Sequence, residues 1–246
     1  MSSSFPNFVI IKSDIIKFMT NFKYKSIKKI PGWLAWTDYE IFREIILFQN
    51  TNLPHSIAEI GVHHGKSFIP MSIFSKTRKL YAIDIFNNQE GNIDNSGDGD
   101  LKAFIKNLKK YQIDQQRVII DQRLSTDTKS NDILDKVGKV SFFHIDGGHH
   151  YDAVINDINL AVDVSDENSV IVLDDVYRSE WPDVSLAAFS SDSFKNNDFI
   201  PFAIGFNKTY FCKKNIASTY QKVLNNNSKL NKHLSKFYNV NETKIL

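Results

Sequence analysis

Between residues 57 and 174 the chain alternates five short apolar runs with stretches of helical periodicity, and no other feature narrows its fold as far. The runs cover 57–60, 80–84, 117–121, 140–146 and 169–174. Each is rich in Ile, Val, Leu, Tyr or Phe, the composition of strands buried on both faces. Helical stretches fall between them at 66–76, 100–111, 130–136 and 150–163. Such alternation predicts a parallel sheet with right-handed crossovers, and it places ligands beyond the carboxyl ends of the strands. Two more apolar runs, 199–206 and 209–212, are joined by Asn207-Lys208 and read as an antiparallel hairpin. The expectation is therefore an α/β, doubly wound, seven-stranded sheet, mostly parallel with a C-terminal antiparallel hairpin.

The 246 residues give room for one large domain with appendages. We divide them into an N-terminal helical extension over 1–50, a ligand-binding domain over 51–214 and a helical or frayed tail over 215–246. In the extension, Ile15, Ile16, Phe18, Met19, Phe22 and Ile27 recur at roughly helical spacing across 13–29, up to Pro31-Gly32. Thr37 is placed to cap a second helix, with Glu40 three residues on and Ile41, Ile45 and Phe48 as its apolar face. This leading segment could form a lid over the site or pack plainly against the sheet.

Thirty basic against 28 acidic residues leave a formal charge of +2, and the two signs are interspersed rather than gathered in a stripe, which disfavours a nucleic-acid partner. The single Cys212 excludes an internal disulfide framework and a cysteine-rich metal site, so a reducing, cytoplasmic setting is expected. The chain does not open on a basic segment followed by an apolar one, and no run approaches the roughly 20 residues of a spanning helix. No membrane contact is expected, and a homo-oligomer is left open.

The first strand-to-helix turn carries Glu59, Gly61, Gly65 and Ser67. A dinucleotide site wants Gly-x-Gly-x-x-Gly to receive a pyrophosphate, and only two glycines stand here. An acid, two separated glycines and a serine donor suit instead a ligand with both an ammonium and a carboxylate, such as the methionine part of S-adenosylmethionine; a merely structural turn is the competing reading. Asp84 ends the second run, where an acid can accept hydrogen bonds from ribose hydroxyls or simply cap a turn. The polar, glycine-rich stretch 87–100 reads as a mobile loop beside the site, without the closing glutamate of a Ca²⁺ loop. Ser125, past the third run, is placed for adenine or for a helix cap.

Asp146, Asp174 and Asp175 stand at the ends of the fourth and fifth runs. Three carboxylates brought together there would repel unless protons or a cation neutralised them, and a hard divalent ion (Mg²⁺, Mn²⁺ or Ca²⁺) fits oxygen ligands of this kind. Turn formation and capping are the bland alternative. His149, three residues after Asp146, is the candidate general base, with His150 second, because imidazole titrates near neutral pH. The same pair would serve equally as helix-start residues facing solvent or stacking on adenine. His63 and His64 read as loop residues that position backbone.

Over about residues 55–212 the chain resembles the class I S-adenosylmethionine-dependent methyltransferases. The Glu59-x-Gly61-x-x-x-Gly65-x-Ser67 turn and the segment Ile145-Asp146-Gly147-Gly148-His149-His150-Tyr151 are most similar to a bacterial family of metal-dependent sugar and small-molecule O-methyltransferases. The resemblance implies a Rossmann-like fold. It implies that Glu59, Gly61 and Ser67 hold the methionine part of the cofactor and Asp84 the ribose; Gly65 and Ser125 are counted with them as cofactor contacts from their positions. It gives Asp146, also counted among the cofactor contacts, a divalent metal shared with Asp174 and Asp175. The chain departs from that family just after Asp146, where a lysine or a second aspartate commonly serves as base. The implied function is methyl transfer to a hydroxyl of a sugar or other small polyhydroxylated acceptor. Its alternatives are a metal-independent methyltransferase, a dinucleotide-dependent sugar oxidoreductase, which the missing third glycine disfavours, and a non-catalytic nucleotide-binding module, which the carboxylates disfavour.

Overall fold

The computed structural model describes residues 22–230, 232–235 and 243–245. Strands β1 (Ser56–Ile60), β2 (Leu80–Ile83), β3 (Val118–Asp121), β4 (Val140–Ile145) and β5 (Ser165–Leu173) pair in parallel. Strands β6 (Phe199–Ile204) and β7 (Thr209–Lys213) form the hairpin, with β7 inserted antiparallel between β5 and β6. The seven expected strands are all present in the expected sense. The sheet then continues through two strands that the sequence pattern did not reveal, β8 (His233–Ser235) and β9 (Thr243–Ile245), giving the order β3-β2-β1-β4-β5-β7-β6-β9-β8. Three-residue strands show no alternating run, and here they form by pairing on the open edge of β6, a tertiary contact. The expected helical start of the tail is a helix over Ala217–Asn225.

Period-two alternation along the strands feeds two cores. Phe142, Val170 and Val172 face one side, and Phe143, Ile171 and Leu173 the other. Helices α1 (Trp36–Asn52), α2 (Phe68–Phe74) and α3 (Leu101–Lys110) cover the first face through Phe42, Ile45, Phe68 and Phe104. The second face is covered by α4 (Ser130–Val137), α5 (Tyr151–Val164), α6 (Pro182–Ser190) and α7 (Asp192–Asn196), through Ile133, Ile158, Val184 and Phe194. The last two helices were not anticipated, although Pro182 stands at the first position of α6, a recognised start signal.

The extension differs in detail from its reading. Residues 13–21 of the expected amphipathic helix lie outside the described residues, and Tyr24–Ile27 form a single 3₁₀ turn. Helix α1 begins one residue before Thr37, which therefore does not cap it; Ala35 stands at the cap position without a side-chain bond. The start is fixed by a tertiary contact instead. Asp38, buried in the first turn, accepts a hydrogen bond from the Tyr210 hydroxyl at 2.7 Å. Ile41 and Ile45 are fully buried as core residues.

Asp157, on the inward side of α5, is fully buried, and its Oδ2 has no partner. Burial pushes its carboxyl from the ordinary 3.8 up to about 7. The folded protein therefore holds this proton where the unfolded chain has lost it, so stability falls as pH rises from about 4 to about 7, a cost on the order of 4 kcal/mol at pH 8. Asp157→Asn removes the charge and leaves an amide to satisfy, at about 1–3 kcal/mol. The variant is expected to melt higher than the parent at pH 8 and to lose most of that pH slope; thermal melts between pH 4 and 8 that keep the slope would assign it to another group.

Candidate functional site

The sheet order reverses between β1 and β4, and the carboxyl ends of β1, β2, β4 and β5 open there into a cleft of about 1150 Å³. Gly61 makes the floor possible. Its φ of +81° suits a residue without Cβ, and a Cβ there would stand 1.7 Å from the carbonyl oxygen of Asp146. The β1 and β4 ends can thus touch, and the Asp146 amide donates to the Ile60 carbonyl at 2.9 Å. Gly65 sits away from the cleft wall, against the ring of Phe104.

Glu59 does not line the cleft either. It is fully buried below the turn, where one oxygen accepts from Ser67 Oγ and meets His144 Nδ1 at 2.6 Å. Burial holds its carboxyl well above the usual carboxylate range, against the Ser67 hydrogen bond. Ser67 itself reaches the cleft, so any influence of Glu59 on a ligand runs through that hydroxyl.

Asp84 is in the wall at the end of β2, one oxygen accepting from the His63 amide and the other from the Phe86 amide. Burial raises its carboxyl above the ordinary value, with these amides opposing. His63, at φ +54°, thus acts through its backbone, as expected of a loop residue. Ser125 is also in the wall, in a 3₁₀ turn over Ser125–Asp127, and it caps none of the helices described above.

Across the cleft, His144, Asp146 and Asp174 place ligand atoms within 4.8 Å of one another, and so do Asp146, His149 and Asp175. Burial and then the Asp174 carboxylate hold the Asp146 carboxyl well above its ordinary value, while Lys208 opposes them. Lys208 lies in the cluster. Its Nζ donates to Asp174, and the neighbouring Asn207 amide donates to both Asp174 and Asp175. The ammonium is nearly fully buried, yet the Asp174, Asp146 and Asp38 carboxylates outweigh that burial and raise its pKa. Asp175 sits at φ +58°; burial would raise its carboxyl, but the bonds from His149 and Asn207 hold it below the ordinary value.

His149 is bridged by two carboxylates, Nδ1 to Asp94 at 2.8 Å and Nε2 to Asp175 at 3.0 Å, and its ring stacks on Trp181 at 4.3 Å between centroids. Burial alone would lower its pKa, but the two carboxylate bonds prevail and raise it. Asp94 in turn is held down at about 2, since hydrogen bonds from Ser96 and His149 outweigh its burial. His150 lines the cleft at the cap position of α5.

The structure therefore brings together Asp146, Asp174, Asp175 and His149 from the sequence reading, and adds Lys208, Asp94, His144 and Trp181. Asp94 was one acid among several in a polar loop. Lys208 was legible only as half of a hairpin turn.

Residues 58–176 match a family described as a methyltransferase domain. This segment is a methyltransferase domain. A viral relative, "Uncharacterized protein R132" of Acanthamoeba polyphaga mimivirus, is 32% identical over 126 residues, half of this chain, and the match spans about half (52%) of that protein's length. Among solved structures, the methyltransferase domain and its surroundings superpose on the O-methyltransferase NovP with a TM-score of 0.63 at 13% identity, covering 78% of this chain and 88% of NovP. CalS11, a TDP-rhamnose 3′-O-methyltransferase, gives 0.55 at 14% identity, covering 81% and 91%. MycE, solved with Mg, SAH and mycinamycin VI, gives 0.53 at 16% identity, covering 82% and 54%. Identities this low speak for the fold, and the class I arrangement expected from the sequence is the one found. Among the described residues no helix is long and apolar enough to cross a membrane.

Proposed function

We propose that this chain transfers a methyl group from S-adenosylmethionine to a hydroxyl of a sugar or other small polyhydroxylated acceptor. The observation that carries the reading is one cleft with Asp84 on one wall and, across the sheet's reversal point, a cluster of carboxylates around a positioned imidazole. The likeness to a structure named as a TDP-rhamnose 3′-O-methyltransferase supports the choice of acceptor class. Trp33, Ile93 and Phe206 line the same cleft and are largely exposed, which suits an acceptor carrying an apolar part beside its hydroxyls.

S-adenosylmethionine, when bound, supplies a methyl group already activated by its sulfonium, so the protein has to align the acceptor and remove its proton. Asp84 would hold the ribose hydroxyls with the lone pairs its two amide donors leave over. Ser67 and the backbone beside Gly61 would face the methionine part. His149 is the base of choice: Nδ1–H stays on Asp94, which fixes the tautomer, and Nε2 exchanges Asp175 for the acceptor hydroxyl and takes its proton. Trp181 keeps the ring in plane during that exchange. The donors of the cluster fit a hard divalent cation, which Asp146, Asp174 and Asp175 would hold and which would lower the pKa of a hydroxyl nearby.

Calorimetry with S-adenosylmethionine, its demethylated product and NAD tests the reading. Binding of the first two is expected, and Asp84→Ala is expected to weaken both by about 1.5–3 kcal/mol, the range for hydrogen bonds to charged groups. Binding of NAD alone would turn the assignment to an oxidoreductase, and unchanged affinity in folded Asp84→Ala would remove the ribose role.

A further inference from the structure

Lys208 is the last of the four residues, 205 to 208, that connect β6 to β7, and the turn is closed by a hydrogen bond from the Gly205 amide to the Lys208 carbonyl at 2.8 Å. The backbone is thereby fixed while the side chain runs into the protein, 2% exposed, and ends on Asp174. An ammonium taken out of water is costly unless carboxylates surround it. This one has Asp174 in contact and Asp146 and Asp38 as further charge partners. Asn207, from the same turn, donates to Asp174 and Asp175, so the hairpin tip as a whole neutralises the cluster from one side.

A second feature marks the same spot as a place for a cation. His144 is fully buried, gives Nδ1 to Glu59 and leaves Nε2 without a partner, and one of its ring nitrogens is grouped within 4.8 Å of Asp146 and Asp174 atoms. A neutral imidazole with an unused lone pair beside two carboxylates is a donor set for a positive ion. Lysine and a divalent metal are both positive, and both would need Asp174. The ammonium takes up Asp174 Oδ2 while Asn207 and the Asp175 amide donate to Oδ1, and a positive charge in contact with Asp174 repels a divalent ion drawn to the same carboxylate, so the two compete for it.

We propose that Lys208 is the resident counter-cation of this carboxylate cluster and that it competes with a divalent ion for Asp174, weakening metal binding there for as long as its ammonium stays in place. This rests on the reading of Asp146, Asp174 and Asp175 as cation ligands given above. It makes Lys208 a residue that sets metal affinity by competition. It also gives the cluster a stable form with no metal bound.

The test uses the full chain without cofactor. Free Mn²⁺ is followed by electron paramagnetic resonance while the parent, Lys208→Met and Lys208→Gln are titrated, and the same proteins are melted in chelator and in Mn²⁺. Removing one positive charge at contact distance from a cation site is expected to tighten Mn²⁺ binding at least about 10-fold in both variants. Both should melt below the parent in chelator and recover most of that loss with Mn²⁺, which should move the parent little. Equal or weaker Mn²⁺ binding in the variants would overturn the proposal, and so would variants that fail to fold even when Mn²⁺ is supplied, because the metal could then not replace the lysine. Calorimetry of the parent with S-adenosylmethionine separates the two readings: cofactor binding without the Lys208 effect sinks only the competition, and the Lys208 effect without cofactor binding sinks only the methyltransferase activity.

Discussion

His149→Ala is expected to slow the chemical step of methyl transfer by roughly 10²–10⁴-fold while S-adenosylmethionine affinity stays near that of the parent. The imidazole is held at both nitrogens and stacked on Trp181, so it is oriented before any acceptor arrives. Its function is needed only when the hydroxyl proton leaves, which makes the loss a transition-state one. Because Asp94 and Asp175 raise its pKa, the parent rate is expected to climb with pH through a value above the ordinary 6.5, and this limb should vanish in the variant. The measurement is single-turnover release of the demethylated cofactor across pH with an acceptor the parent accepts. His150→Ala is the control, since His150 lines the same cleft while it is His149 that bonds to Asp94 and Asp175. A larger loss in His150→Ala, or a parent-like pH profile in both, would move the base elsewhere.

Gly61→Ala is expected to cost about 3 kcal/mol or more of folding stability, from overpacking and from a strained left-handed backbone together. The new methyl would stand 1.7 Å from the Asp146 carbonyl oxygen, a distance that no side-chain movement can relieve because both partners are main chain. Either the ends of β1 and β4 separate, which moves Asp146 out of the cluster, or the domain unfolds. Against a typical total of 5–15 kcal/mol that is a large fraction. Gly138→Ala is the control for backbone strain alone: Gly138 has φ +73° and ψ −159°, a conformation nearly confined to glycine, but a Cβ there meets nothing within 4 Å, so only the backbone cost of about 1–3 kcal/mol is expected. Urea denaturation that finds the two variants equally destabilised would show that the close approach at Gly61 is not rigid.

The sequence was enough for seven strands of the sheet, though not for β8 and β9. Apolar runs such as 140–146 and 169–174 can satisfy their backbone only as neighbouring buried strands, and alternation with helices leaves parallel pairing as the solution, so the carboxylates at their ends had to meet. That is why Asp146, Asp174 and Asp175 were legible in advance, whereas the close approach of Gly61 to the Asp146 main chain was not. Pairing partners of the cluster were not legible. Lys208 stands 34 residues beyond Asp174 and Asp94 stands 55 before His149. Neither separation is a repeat of any local structure. Lys208 reaches the cluster because β7 inserts beside β5, and Asp94 because its loop crosses the reversal point of the sheet. The helix cap expected at Thr37 failed for the same reason, since a buried bond from Tyr210 to Asp38 fixed the start of α1 more firmly than a local capping box would. Local periodicity fixes which way a side chain leaves its own strand or helix, while long-range charge pairing is decided only when the sheet order brings distant elements into contact, and in this protein the ammonium and the acid that hold the site were decided there.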